Sequence, residues 1–67
     1  MFDGKKLREM RLELGLTQFQ LDNAIGLTQK TICSLELGKY QPSLQKLIKI
    51  ANYFDVSIDE FINRKEV

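Results

Sequence analysis

The sequence has no histidine and no tryptophan, and only one cysteine and one proline among its 67 residues. Without histidine, the Ser-His-Asp and Cys-His arrangements of nucleophilic catalysis cannot form, and no glycine-rich phosphate loop is present. A lone cysteine, Cys33, cannot form an internal disulfide, and without histidine it leaves no zinc ligand set. The sequence therefore predicts a protein that is not an enzyme and that needs no metal and no cofactor.

Long apolar runs are also missing. No segment approaches the roughly 18 consecutive apolar residues of a membrane span, and no signal-peptide pattern opens the chain. With 43% hydrophobic and 28% charged residues, the composition is that of a folded protein and not of a disordered tail. We expect a single domain over residues 1–67, located in the cytoplasm and not bound to a membrane.

Charge is small in total but unevenly distributed. The formal net charge is only +1, yet residues 28–49 carry four lysines against one glutamate, namely Lys30, Lys39, Lys46 and Lys49 against Glu36. The preceding residues are balanced, and the following ones are net acidic. Positive charge gathered in one segment indicates a surface that contacts nucleic acid, although isolated lysines are more often merely solvated.

The central segment, about residues 17–37, contains the signals of two short helices in succession. Thr17 and Gln20 form a Thr-x-x-Gln capping box that starts the first helix. Leu21 and Ile25 lie four residues apart and share a face, and Gly26 is typical of the residue just past a helix end. The short connection that follows forces the two helices to cross and share a core, which predicts a helix-turn-helix.

The second helix of this motif has a polar outer face. Thr28 is its predicted N-cap, and Ile32 and Leu35, three residues apart, are predicted to point inward. The residues then left on the outer face are Gln29, Lys30, Cys33 and Ser34. Such side chains can hydrogen-bond to base edges in the major groove of DNA, although any solvated helix also carries polar residues outside.

Two further helices flank the motif. The first is predicted to start near Asp3 or Gly4 and to end at Gly15, with the core residues Leu7, Met10 and Leu14. The other follows Pro42, is capped by Ser43 and ends at Asp55, and its predicted apolar stripe consists of Leu44, Leu47, Ile48, Ala51 and Phe54.

The last predicted helix opens with a second capping box, formed by Ser57 and Glu60. It carries Ile58, Phe61 and Ile62, which so short a segment cannot bury completely. We therefore predict that these three residues form a homodimer contact.

Nearly the whole sequence, from about Leu7 to Ile62, resembles the Cro and phage-repressor type of helix-turn-helix DNA-binding domain. The matching positions are Thr17-Gln18, Leu21, Gly26, Thr28, Ile32, Leu35-Glu36, Gly38-Lys39 and Pro42-Ser43-Leu44. The resemblance implies a compact all-α, five-helix, lambda-repressor-like domain whose third helix enters the major groove. One departure concerns Asp22, which stands where that family usually has a small alanine.

The resemblance also implies roles for individual residues. Gln29, Lys30 and Ser34 match positions that contact bases, and the phosphate-contacting set is Gln18, Thr28, Lys39 and Tyr40. An internal ion pair is implied between Arg11 and Glu36.

These features predict a sequence-specific regulator of transcription that binds double-stranded DNA. We expect a repressor that binds an inverted-repeat operator as a homodimer and lies at the nucleoid, with a regulatory protein partner at the C-terminal helix as one route of control. The alternative is an antitoxin or another protein-interaction module with the same fold. A redox role for Cys33 is a weaker alternative, because no second cysteine is present to resolve an oxidised thiol.

Overall fold

The computed structural model describes residues 1–27 and 30–62. They form helices α1 (Gly4–Glu13), α2 (Gln18–Ile25), α3 (Thr31–Glu36) and α4 (Leu44–Phe54), followed by a 3-10 helix, Ile58–Phe61. In these two ranges the only β-type pairing is an isolated antiparallel bridge between Phe2 and Ile62. The all-α prediction is confirmed. The prediction of five α-helices is wrong, because the last segment forms a single 3-10 turn.

Each α-helix except α3 begins with the side-chain cap that its sequence favours. The Thr17 hydroxyl accepts the N–H of Gln20 at 3.0 Å, and the Gln20 side chain accepts the N–H of Thr17 at 2.9 Å. Asp3 and Ser43 each accept the N–H three residues further on. The predicted capping box at Thr17 and the predicted cap at Ser43 are thus confirmed.

The predicted capping box at Ser57 does not form. The Ser57 side chain makes no capping hydrogen bond, because the N–H of Glu60 donates instead to the Ser57 carbonyl at 3.1 Å. This i to i+3 bond is the repeat of a 3-10 helix. Helices α2 and α4 end where the sequence predicts, and their C-caps, Gly26 and Asp55, both adopt the left-handed conformation, with φ of 78° and 56°.

All five helical segments contribute to one core. Its fully buried side chains are Leu7, Leu21, Ile32, Leu35, Ile50 and Phe61. The prediction that Leu14 belongs to this core is wrong, because the buried residues of α1 are Leu7 and Arg11, and Leu14, the C-cap of α1, is 57% exposed. No helix within the described ranges has the length and apolar character needed to cross a membrane.

The buried face of helix α4 differs from the predicted apolar stripe. Leu47 and Ala51 are buried as predicted, but Ile50 is also fully buried, whereas Leu44 is 66% and Ile48 is 40% exposed. Ile50 and Ala51 follow Leu47 by three and four residues, so these three side chains share one face of the helix. Leu44 and Ile48 lie at the edge of that face. Two residues predicted to be in the core therefore lie at the surface.

Phe61, which the sequence predicts at a surface contact, lies in the core. Its side chain is fully buried and stacks on Phe2, with ring centroids 5.7 Å apart. The Phe61 carbonyl accepts the N–H of Asp3 at 2.6 Å, which holds the two ends of the fold together. The prediction that Phe61 contributes to a dimer contact is therefore wrong, since it has no exposed surface to offer. Ile58 and Ile62 are half-buried.

Candidate nucleic-acid interface

Helices α2 and α3 form the predicted motif, and α3 presents one face outward. Ile32 and Leu35 are fully buried, as the spacing predicts. Lys30, at the start of α3, is exposed, and Cys33 and Ser34 are half-buried. The predicted N-cap Thr28 and the predicted base-reading Gln29 lie outside the described residues.

The start of α3 is capped by a side chain from α2. Lys30 precedes the helix in the left-handed conformation, with φ of 70°, and its own side chain makes no cap. Instead Asp22, only 4% exposed, accepts the N–H of Ile32 at 3.1 Å through Oδ1. The N–H of Lys30 also bonds to this carboxylate. Asp22, where the resembling family has alanine, thus satisfies the N–H groups that an N-cap residue normally would.

Burial sets the ionisation of Asp22. Desolvation raises the pKa of the Asp22 carboxyl, the N–H groups of Ile32 and Lys30 lower it, and the negative charge of Glu36 raises it further. The net direction is above the ordinary pKa of 3.8. The charge of Asp22 is therefore costly to bury even though its hydrogen bonds favour it.

The end of α3 is tied to α1 by a bidentate ion pair. Arg11 Nε lies 2.6 Å from Glu36 Oε2, and Arg11 Nη2 donates to Glu36 Oε1 at 3.1 Å. Arg11 Nη1 also donates to the carbonyl of Leu16, at 2.7 Å. The side chains of Arg11 and Glu36 are 8% and 3% exposed. The hydrogen bond to Glu36 raises the pKa of the Arg11 guanidinium.

Gln18 joins the same network from the first turn of α2. Its Nε2 donates to Glu36 Oε1 at 3.0 Å, so one of its two amide N–H groups is used inside the protein. The other remains for an external acceptor. The first N–H groups of an α-helix have no acceptor within the helix. In α2 the N–H of Gln20 donates to the Thr17 hydroxyl, which leaves the backbone N–H groups of Gln18 and Phe19 without intrahelical acceptors.

The loop after α3 carries the two remaining predicted phosphate-contacting residues. Lys39 and Tyr40 are both exposed. Lys46 Nζ, from the first turn of α4, lies 5.7 Å from the centre of the Tyr40 ring, a cation–π arrangement. Sequence reasoning did not assign Lys46 to the site, although its place three residues after the predicted cap Ser43 puts it beside this loop.

Sequence reasoning missed the exposed ring of Phe19 and the hollow beside it. Phe19, on α2, is 65% exposed, and it lines a hollow of about 410 Å³ between α2 and α3, here named the α2–α3 hollow, with Gln18, Asp22, Lys30 and Cys33. By contrast Lys49, which belongs to the basic segment, lines a different hollow with Ala24 and Tyr53. In the described part of the chain no three acidic, cysteine or histidine side chains cluster as metal ligands would.

Comparisons with known proteins agree with this geometry. A family profile described as helix-turn-helix matches residues 7–61. An uncharacterized HTH-type transcriptional regulator of Archaeoglobus fulgidus is 42% identical over 55 residues, which are 82% of this chain and 79% of that protein. The cryptic phage CTXphi transcriptional repressor RstR of Vibrio cholerae is 33% identical over 61 residues, or 91% of this chain and 55% of that protein.

The fold is similar to that of the restriction-modification controller protein C.AhdI from Aeromonas hydrophila. That crystal structure superposes with a TM-score of 0.77 at 33% sequence identity, over 85% of this chain and 86% of the other. All three relatives cover most of this chain, and none is named as an enzyme. The chain belongs to the Cro/Xre-type helix-turn-helix family of DNA-binding transcriptional regulators.

Proposed function

We propose that this protein is a repressor that binds an inverted-repeat operator as a homodimer, with α3 in the major groove. The observation that carries the proposal is the way α3 is held. Asp22 fixes its start, and the Arg11–Glu36 pair fixes its end, so its outer face is presented on a rigid support. A helix that reads base edges needs such support, because a displaced side chain loses its hydrogen-bond geometry.

The proposed base-reading residues are Gln29, Lys30 and Ser34. Lys30 is exposed at the turn into α3, and Ser34 lies one turn further along the same helix, half-buried. Lysine can donate to guanine O6 and N7, and serine can donate or accept. Gln29 enters the proposal from the sequence, because glutamine pairs bidentately with adenine.

The proposed phosphate-contacting residues surround this face. Gln18 offers its second amide N–H at the start of α2, and Lys39 and Tyr40 lie in the loop after α3. Thr28 completes the set from the sequence alone. Lys46 joins it as a further cation, since it lies over the Tyr40 ring. Contacts of this kind position the domain on the duplex but do not discriminate between sequences.

The homodimer is supported by apolar surface that the protomer leaves uncovered. Leu44 and Ile48 are four residues apart on α4 and are 66% and 40% exposed. Ile58 and Ile62 are half-buried, and the 3-10 helix that begins at Ile58 packs against α4. A second copy of the chain would cover such a surface by two-fold symmetry. The role as a repressor is supported by the relative named as a phage transcriptional repressor, and we infer a cytoplasmic protein bound to the nucleoid.

The test begins with recovery of bound duplexes from a random-sequence pool, which yields the operator and its symmetry. Titrations on operator and scrambled duplex at several salt concentrations then separate the two residue sets. Gln29→Ala should cost about 1–3 kcal/mol on the operator and relax the preference at one base pair of each half-site. Lys39→Ala should weaken binding to both duplexes and lower the salt slope by about one unit on each subunit.

Lys49→Ala is the matched control, because it removes the same charge from the same basic segment but at a position on α4 that lines a hollow with Ala24 and Tyr53. It should leave the preference for the operator unchanged and shift the salt slope less than Lys39→Ala does. If Gln29→Ala and Lys30→Ala bind the operator as tightly and selectively as wild type, groove reading by α3 is wrong. Retained capture of a co-purifying protein would then favour the antitoxin or protein-interaction alternative.

A further inference from the structure

The α2–α3 hollow contains an apolar side chain that neither the core nor the predicted contacts explain. Phe19 is 65% exposed although it is among the larger apolar residues of the chain. Its ring shares the hollow with Lys30, which stands at the turn into α3, and with the half-buried Cys33 on the outer face of that helix. An exposed aromatic ring in a hollow of a helix-turn-helix motif offers an apolar surface on which a ligand can pack.

The chemistry of the hollow limits what it can hold. Asp22 lines it, so a phosphate group would meet a nearby carboxylate. That carboxylate is only 4% exposed, so the amino group of cytosine has little access to it. Of the other lining residues, Gln18 and Lys30 carry the polar groups already proposed for DNA contacts, and the Phe19 ring and the Cys33 side chain offer surface that favours an uncharged apolar group.

In the major groove the only apolar group on a base edge is the C5-methyl of thymine, and phenylalanine is one of the side chains that contact it. We propose that Phe19 and the α2–α3 hollow receive a thymine methyl group and so select thymine at one position of each half-site. This inference rests on the proposed function, since it requires α3 to lie in the major groove. Lys30 at the rim of the hollow would hold the duplex against it through a phosphate or a guanine.

The test replaces each thymine of the selected operator in turn by deoxyuridine, which removes only the methyl group. For wild-type protein, one thymine in each half-site should be methyl-sensitive, with a loss of roughly fourfold per half-site, as expected for the burial of one methyl group. Phe19→Ala should bind the thymine operator more weakly and should no longer distinguish thymine from deoxyuridine at that position. Phe19→Leu should keep part of the distinction.

Leu12→Ala is the control, because Leu12 is also exposed, at 52%, but lines another hollow, with Lys6 and Glu9. It should keep the full methyl sensitivity. If the wild type selects an operator but no thymine in it is methyl-sensitive, the inference is wrong while the proposed function stands. Equal weakening of Phe19→Ala on every duplex, with the methyl effect intact, also overturns it. If the wild type selects no duplex, the proposed function itself fails.

Discussion

Replacing Arg11 by methionine should destabilise the fold far more than replacing both Arg11 and Glu36 by apolar residues. Arg11→Met removes two hydrogen bonds to Glu36 and leaves that carboxylate 3% exposed, with Gln18 as its remaining side-chain partner. An uncompensated buried charge costs about 3–5 kcal/mol. A domain of this length is stable by roughly 3–10 kcal/mol, at about 0.05–0.15 kcal/mol per residue, so much of the single variant should be unfolded.

The double variant Arg11→Met with Glu36→Leu removes the buried charge as well. Its remaining cost comes from the carbonyl of Leu16 and the amide of Gln18, which lose their partners. The carbonyl of Leu16 loses its partner in Arg11→Met as well, so the cost specific to the double variant is the unsatisfied amide of Gln18, about 1–3 kcal/mol. The double variant should therefore be more stable than Arg11→Met by about 2 kcal/mol.

Urea unfolding followed by far-ultraviolet circular dichroism measures these differences, with the slope of the transition as a check on two-state behaviour. Lys6 and Glu60 provide the control pair, since their charged atoms lie 3.8 Å apart with side chains 39% and 49% exposed. Lys6→Met should change the free energy of unfolding by less than about 1 kcal/mol. Equal destabilisation by the single and double variants at Arg11 and Glu36 would show that the buried charge is not what the pair compensates.

Three further predictions concern other parts of the molecule. Asp22→Asn keeps an acceptor at the start of α3 but removes the buried charge; because burial raises the pKa of Asp22, the wild type loses stability relative to this variant as the pH rises above 3.8. The urea midpoint of the wild type should therefore fall relative to that of Asp22→Asn between acid and neutral pH. A difference between the two midpoints that does not change with pH would contradict the role of burial. Gly4→Ala would place its methyl group 2.8 Å or less from two carbonyl oxygens at the end of α3; it should cost about 1–3 kcal/mol by thermal unfolding, whereas Lys5→Ala, at an exposed position, should not. Leu44→Glu should give a folded monomer with weak operator binding, and sedimentation showing the wild type monomeric both free and on DNA would exclude the dimer.

The local signals of the sequence predicted the boundaries of α2 and α4, but not the start of α3 at Thr31 or the missing side-chain cap at Ser57. Capping by Thr17 and Ser43 and the left-handed caps at Gly26 and Asp55 depend on neighbouring residues, so the chain itself carries the information. The burial of individual residues was less predictable. The apolar residues of α4 fit two overlapping stripes, and only the positions of the other helices decide that Ile50 is buried and Leu44 exposed.

In the candidate site too, local features were predictable and contacts between separate helices were not. The residues of α3 that face inward followed from their spacing, but two side chains had contacts that sequence spacing does not encode. Asp22 looked like a misfit at a small-residue position, and the structure uses its carboxylate to cap α3 because Lys30 cannot. Lys46 approaches Tyr40 only because the loop after α3 brings the two together. Both contacts depend on how separate helices are arranged in space.

The stacking of Phe2 on Phe61 has a consequence for how the protein is made. These rings come from opposite ends of the described chain, and the N–H of Phe2 also bonds to the side chain of Gln41, at 2.6 Å. During synthesis the ring of Phe2 has no stacking partner until the segment around Phe61 has left the ribosome, so the core closes late. Loss of either end should then open the core as a whole, and amide hydrogens of α1 should exchange at the rate of global unfolding.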